Sequence, residues 1–319
     1  MTKPPLVPPI KCQGIKTKLV SEIRELIAAQ NYTRWVEPFC GSCVIPLNIQ
    51  PRKALLSDTN VHIIQLYKDI QSRFVTPAGV KEFLTDNGEK LRSAGEDYYY
   101  QLRERFNRSP NSYDFLFLNR ACFNGVMRFN RKGYFNVPFC RKEQRFSPAY
   151  VTKIVNQVRS MAMVIQASDW EFVAADFRAT LAQVTPDDFV YADPPYAGRH
   201  VDYFNSWSNQ DEDALVCQLQ KLAGKFVFST WHSNEFRHNL LIEKNWNNSG
   251  YHLFTKAHYY HVGSHEDLRH PMLEDLISNF STNFSTITYQ ANSNEYTQLR
   301  LLERQLTEYV IDKQQETSP

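Results

Sequence analysis

The sequence predicts an α/β fold built on a doubly wound parallel sheet, and three observations carry that prediction. Phe189-Val190-Tyr191 and Phe226-Val227-Phe228-Ser229 are continuous apolar runs of the kind found in strands buried on both faces. Helical patterns alternate with such runs along the chain, as parallel sheets crossed by helices require. Acidic and glycine-containing segments fall where the runs end, at the edge where such sheets bind ligands.

Taken in order, Met1 to Ile10 holds four prolines and lacks the apolar core of a signal peptide. Thr17 to Gln30 reads as an amphipathic helix, with Leu19, Val20, Ile23, Leu26 and Ile27 at helical spacing. Tyr32 to Phe39 reads as the first strand, and Lys53 to Ser57, closing on Asp58, as the second. The stretch 61–147 begins with helical patterns and turns aromatic and basic from Arg120 to Arg145, which marks an insertion. The parent domain is therefore discontinuous, 1–60 and 148–280. Ser208-Asn209-Gln210-Asp211 is a capping signature ahead of a helix carrying Leu215, Leu219 and Leu222. Residues 281–319 read as a polar linker followed by a helix, with Leu299, Leu302, Leu306 and Val310 on one stripe. That stripe fits packing on the parent domain or pairing with a second subunit.

Bulk numbers narrow the class. A chain of 319 residues holds one large α/β domain plus an inserted module. Hydrophobic residues at 42% and charged residues at 22% are those of an ordinary globular protein, and no apolar run reaches membrane-span length. A cytoplasmic, monomeric or weakly dimeric protein is expected. The net charge of +2 decides nothing, because nucleic-acid binding depends on how charge is distributed. The six cysteines are scattered, and Cys40-Gly-Ser-Cys43 lacks the second pair that a zinc site needs. His252, His258, His261, His265 and His270 cluster late in the chain without clean metal-ligand spacing, so no metal is expected.

The chemistry centres on Asp193-Pro194-Pro195-Tyr196, just after the strand ending at Tyr191. Two prolines fix the backbone and cannot continue a sheet, so they present an acidic side chain and a bare carbonyl at the sheet edge. An amino group on an aromatic base needs such acceptors. Its lone pair is delocalised into the ring, and hydrogen bonds from its two protons favour the pyramidal geometry that frees that pair. Tyr196 offers a flat face on which a base can stack. A second candidate site, Glu37-Pro38-Phe39-Cys40-Gly41-Ser42, ends the first strand with small residues that let a ligand approach the backbone. Asp58 ends the next strand, where an acid can bind ribose hydroxyls. The full three-glycine fingerprint is missing, which disfavours a nicotinamide cofactor.

These two sites, with two further segments, resemble the adenine-N6-specific DNA methyltransferases of the Dam-like (class alpha) family. The first segment is Pro9-Ile10-Lys11-Cys12-Gln13-Gly14-Ile15-Lys16. The second is Asn119-Arg120-Ala121-Cys122-Phe123-Asn124-Gly125-Val126-Met127-Arg128-Phe129-Asn130, continuing through Gly133 and Phe135-Asn136-Val137-Pro138-Phe139. Leu273 to Phe280 is similar to the family's last strand. The resemblance spans Pro9 to Phe280 and implies a Rossmann-like methyltransferase sheet with an inserted, mainly helical target-recognition domain carrying a hairpin. It also implies S-adenosyl-L-methionine as cofactor, double-stranded DNA as substrate and, in many settings, a cognate restriction endonuclease as functional partner. Carried over by position, cofactor contacts fall on Cys12, Lys16, Glu37, Phe39, Cys40, Gly41, Asp58, Asp176, Phe177 and Asp193. Two residues depart from the pattern: Cys12 stands where the family has a stacking aromatic, and Cys43 where the loop commonly has glycine.

The insert has its own physical reading. Arg120, Arg128, Arg131, Lys132, Arg141, Lys142 and Arg145 face one acid, Glu143, with Phe123, Phe129, Tyr134, Phe135 and Phe139 interleaved. Cations neutralise phosphates, guanidinium groups read guanine, and aromatics wedge into a base stack. Asn130-Arg131-Lys132-Gly133-Tyr134 reads as a hairpin tip suited to groove entry. The resemblance makes Phe123 the wedge beside a flipped adenine and Arg128 the main base reader, with Arg120, Asn124, Asn130, Arg131, Lys132 and Pro138 also at the DNA. Methylation of cytosine-N4 or of adenine in RNA, and a catalytically silent DNA-binding regulator, are the competing readings of the same residues.

Overall fold

The computed structural model describes residues 4–196, 207–233, 239–246, 250–259 and 271–281. A 3-10 turn at Thr17–Leu19 leads into α1 (Val20–Ile27), β1 (Arg34–Glu37), α2 (Val44–Ile49), β2 (Lys53–Asp58) and α3 (Val61–Gln71). There follow α4 (Pro77–Arg108), α5 (Ser112–Ala121), α6 (Pro148–Gln166), β3 (Asp169–Ala174), α7 (Phe177–Leu181) and β4 (Asp188–Ala192). The last elements are α8 (Asn209–Gln220), β5 (Lys225–Ser233), α9 (Leu240–Trp246), β6 (His252–Tyr259) and β7 (Pro271–Ser278). The linker and helix read for 281–319 lie outside the described residues, Ser281 apart.

The seven strands order as β3-β2-β1-β4-β5-β7-β6, with β1 to β5 parallel and β7 antiparallel to both its neighbours. Trp35 pairs with Ala54 on one side and Phe189 on the other, so the strand order reverses at β1. That reversal opens a crevice at the carboxyl ends of β1 and β4, where ligands of open α/β sheets bind.

Side-chain alternation explains why the strands read as unbroken apolar runs. Trp35, Leu56, Phe189 and Tyr191 enter one core, while Val36, Leu55, Val190 and Ala192 enter the other. Both faces of the sheet are covered, so neither needs polar residues. Trp35 stacks on Phe189 at 5.2 Å between centroids and 8° between planes. Such pairs add about 0.5–1.5 kcal/mol beyond their burial. β6, by contrast, carries His252, Thr255, Lys256 and His258, so it offers no run to pattern reading.

The insert does not form a separate core. Leu84, Leu91, Tyr99, Leu102, Phe106 and Phe115 to Leu118 belong to the cluster that also covers one sheet face. α3 packs on β2 and β3 and also meets α5 and α6. α4 is broken at Gly95, whose φ of +58° and ψ of −134° no helix accommodates. α8 begins with the capping box read from the sequence: Ser208 and Asp211 each cap the other's backbone.

Candidate active site

The crevice holds a cavity of about 280 Å³. Its floor is the turn after β1. Gly41 adopts φ +44° and Cys43 φ +56°, and the Cys43 amide donates to the Cys40 carbonyl at 2.6 Å. Asp58, at the end of β2, accepts from the Gly41 amide at 3.0 Å and from the Asn60 amide at 2.8 Å. Each carboxylate oxygen therefore shapes a loop, and the residue lines the cavity. The Tyr67 hydroxyl donates to the Ser42 carbonyl at 2.7 Å and holds the turn from beneath. Cys40 and Cys43 are buried free thiols, and no cluster able to hold a metal exists among the described residues.

One wall is aromatic. Phe39, Phe177 and Trp207 meet pairwise at 5.4–5.5 Å between centroids. Asp176 caps α7 by accepting from the Arg178 amide, which brings Phe177 to the cavity. Trp207 was not among the residues read from the sequence. The signal was a lone tryptophan one residue ahead of a capping box, which fixes it at the mouth of a helix.

The opposite wall is ionic. The Lys16 ammonium is buried and lies 3.0 Å from Asp193 Oδ1 and 3.4 Å from Glu274 Oε1. It donates to the Tyr196 hydroxyl at 2.7 Å, and that hydroxyl donates to Glu274 Oε1 at 2.9 Å. Lys16 Nζ also lies 4.8 Å from the centroid of the Tyr196 ring, on the side of its hydroxyl. Glu274 is fully buried and was read only as part of a strand. An acidic pair, Glu274-Asp275, inside the apolar run of β7 was the signal available, since buried carboxylates need a stated purpose.

Withdrawal from water pushes the Asp193 carboxyl up to about 6; Lys16 pulls it down and Glu274 pushes it up again. Burial likewise raises Glu37, though Trp35 Nε1 donates to it at 2.8 Å, and raises Asp58. Five acids line the cavity (Glu37, Asp58, Asp176, Asp193 and Asp211) with Lys16 as the one cation among the described lining residues. Such a cavity repels phosphates and draws a cationic ligand carrying hydroxyl and amino groups. Cys12 also lines it, with Sγ 3.6 Å from the point where a Cβ on Gly41 would stand.

Beside the cavity, the insert forms the hairpin that the sequence indicates. Phe129 bridges Phe135, and the Asn130 side-chain oxygen accepts from the Lys132 and Tyr134 amides at 2.9 and 3.0 Å. Asn130, Arg131, Lys132 and Tyr134 are exposed, as are Phe123, Asn124 and Pro138. Phe123 is 54% exposed, while Phe129, Phe135 and Phe139 are core residues. Arg128 is partly buried and donates from Nε to Asn136 Oδ1 at 3.0 Å.

The reading of Arg120 as a DNA contact is corrected. It is 4% exposed, and its guanidinium donates to the Pro9 carbonyl at 2.6 Å and to Gln157 Oε1 at 2.5 Å. Counting charge along a window does not distinguish the buried face of a helix from the exposed one.

Residues 13–268 match the family described as D12 class N6 adenine-specific DNA methyltransferase. The chain is similar to the retron Ec67 DNA adenine methylase of Escherichia coli, 31% identical over 64% of this chain and 68% of that one. It is similar also to the DNA adenine methylase of Serratia marcescens, at 31% identity over 67% of this chain and 78% of the relative. The type II methyltransferase M.MjaIII of Methanocaldococcus jannaschii is 29% identical over 72% of this chain and 86% of its own length.

Proposed function

The chain belongs to the D12 class of N6 adenine-specific DNA methyltransferases, and from that premise we propose that it moves a methyl group from S-adenosylmethionine to an adenine flipped out of duplex DNA. The observation that carries the cofactor is the acid-rich cavity at the sheet's reversal point, with an aromatic wall for a purine and raised carboxyls that a cation relieves. The Gly41 turn would hold the amino-acid end, Phe39, Phe177 and Trp207 the adenine, and Asp58 the ribose.

When bound, the cofactor supplies an activated methyl on a sulfonium, so the protein's task is alignment. Asp193 and the Pro194 carbonyl accept the two amine protons of the target adenine and favour the pyramidal nitrogen. Pro195 fixes that backbone. Lys16 holds the carboxylate in place, itself held by Tyr196 and Glu274, and the Asp193 side chain is 19% exposed. Its pKa of about 6 leaves it ionised at neutral pH, so it accepts hydrogen bonds first and takes the amine proton only after transfer. The target's amine is hidden inside a duplex, and Phe123 is the exposed aromatic placed to fill the gap when the base leaves. Arg128 reads a base edge, and Arg131 and Lys132 hold phosphates. A cognate restriction endonuclease belongs to the same proposal, supported by the type II relative.

The test is incorporation of labelled methyl from S-adenosylmethionine into unmethylated duplex DNA, followed by digestion to nucleosides. N6-methyladenosine in its deoxy form is the expected product. Label in N4-methylcytosine, or in RNA alone, overturns the proposal. Cofactor that does not bind points to the silent regulator instead.

A further inference from the structure

The cofactor cavity and the DNA-facing hairpin share one piece of chain. Segment 9–16 ends at Lys16 among Asp193, Tyr196 and Glu274, and begins against the last turn of α5, which leads straight into Phe123. Asn119, fully buried in that turn, holds Lys11 by both main-chain groups. Its Oδ1 accepts from the Lys11 amide at 2.7 Å and its Nδ2 donates to the Lys11 carbonyl at 2.8 Å. The neighbouring Arg120 holds the Pro9 carbonyl.

The Phe123 loop rests on the same segment. A Cβ on Gly125 would stand 2.5 Å from Lys11 Cδ and 2.7 Å from Lys11 Cβ, so the backbone lies directly on the lysine stem. The loop is tied in turn to the returning hairpin strand. The Phe123 amide donates to the Pro138 carbonyl at 2.9 Å, and the Cys140 amide to the Ala121 carbonyl at 3.0 Å. Met127, from the same loop, lines the cofactor cavity. A displacement of the Phe123 loop by DNA thus meets Lys11 first, and Lys16 follows five residues later in an ordered strap.

We propose that Asn119 is a positioning residue that couples DNA binding to cofactor binding, by making segment 9–16 answer to the Phe123 loop. The inference rests on the methyltransferase reading above. Asn119 touches no substrate. Its two hydrogen bonds fix where Lys11 stands and, through the five residues that follow, bear on where Lys16 stands. Binding free energies are linked reciprocally, so the cofactor must strengthen DNA binding by the same factor as DNA strengthens cofactor binding.

The experiment titrates the full chain with S-adenosylhomocysteine, which binds without turnover, in the presence and absence of a duplex that the enzyme methylates. In the unaltered protein the duplex tightens binding by about five-fold or more, and the reverse titration gives the same factor. Asn119→Asp keeps the acceptor for the Lys11 amide and loses the donor to its carbonyl. Its coupling factor falls to within about two-fold of unity, while each ligand alone binds within about three-fold of the original affinity. Arg120→Lys keeps the charge but loses the Nε bond to Pro9, and gives an intermediate factor; it decides the matter if the Asn119 variant does not fold. A coupling factor of one in the unaltered enzyme, or an undiminished factor in both folded variants, overturns the inference. Absence of N6-methyladenine in the product overturns the methyltransferase reading itself, so the two failures are distinct.

Discussion

Under the proposed function Lys16 and Arg131 are both cations that meet a substrate, yet they are prepared for it in opposite ways. Lys16 is 3% exposed and already holds Gly14, Asp193, Tyr196 and Glu274. Arg131 stands exposed on a tip whose internal hydrogen bonds shape only the turn. The first arrangement has its reorganisation cost met during folding, which is what makes fixed charge effective in catalysis. The second is suited to long-range attraction that salt screens, which on the proposed function would draw DNA to the surface without fixing a reacting atom. On that function, burial is expected to separate the residues that set the rate from those that set the encounter.

The largest effect is expected at the buried end. Asp193→Ala lowers kcat by about 10³-fold or more while duplex affinity, measured by anisotropy, stays within about two-fold. Equal losses in both quantities would erase the distinction between the two regions. Next comes Lys16→Met, which leaves Asp193 without the cation that pulls its pKa down. The rate of the unaltered enzyme rises as pH climbs through about 6, because the carboxylate must be ionised to accept the amine protons. In Lys16→Met that limb moves to higher pH, and kcat above it drops by about 10²-fold. A pH–rate profile with an unmoved limb would show that Lys16 does not tune Asp193.

At the exposed end the effects shrink. Phe123→Ala lowers kcat/KM by about ten-fold, roughly 1.4 kcal/mol. The loss should be smaller on duplexes with a mismatch opposite the target adenine, where unpairing costs less. Smallest are Arg131→Ala and Lys132→Ala. Each reduces the slope of log affinity against log salt by about one, with kcat at saturating DNA unchanged. A lowered saturating kcat in either variant would move the tip into the catalytic class and break the comparison.

How much of this was readable beforehand differs between the same two regions. The strands at Phe189–Tyr191 and Phe226–Ser229, the acid at Asp193 and the tip at Asn130–Tyr134 were legible, because periodicity and turn chemistry are local. Glu274 was not, since only the antiparallel register of β7 between β5 and β6 carries it back to Lys16 and Tyr196. Arg120 looked like its basic neighbours, yet the helix turns it toward Pro9 and Gln157. Trp207 depends on a contact within one cavity wall with Phe39 and Phe177 that no spacing reveals. What the sequence hides is which distant side chains share a wall.

The ionic wall draws Lys16 from one end of the sequence, Asp193 and Tyr196 from its middle and Glu274 from a strand threaded late into the sheet. During synthesis, a ribosome that has passed Tyr196 has made every residue of the Asp-Pro-Pro-Tyr motif but none of β7. On the proposed function, the growing polypeptide is expected to leave the DNA around it unmethylated until that strand emerges and pairs beside β5. Two fragments divided between Tyr196 and Pro271 inherit the same silence, and restored methylation on mixing them would report their reassembly.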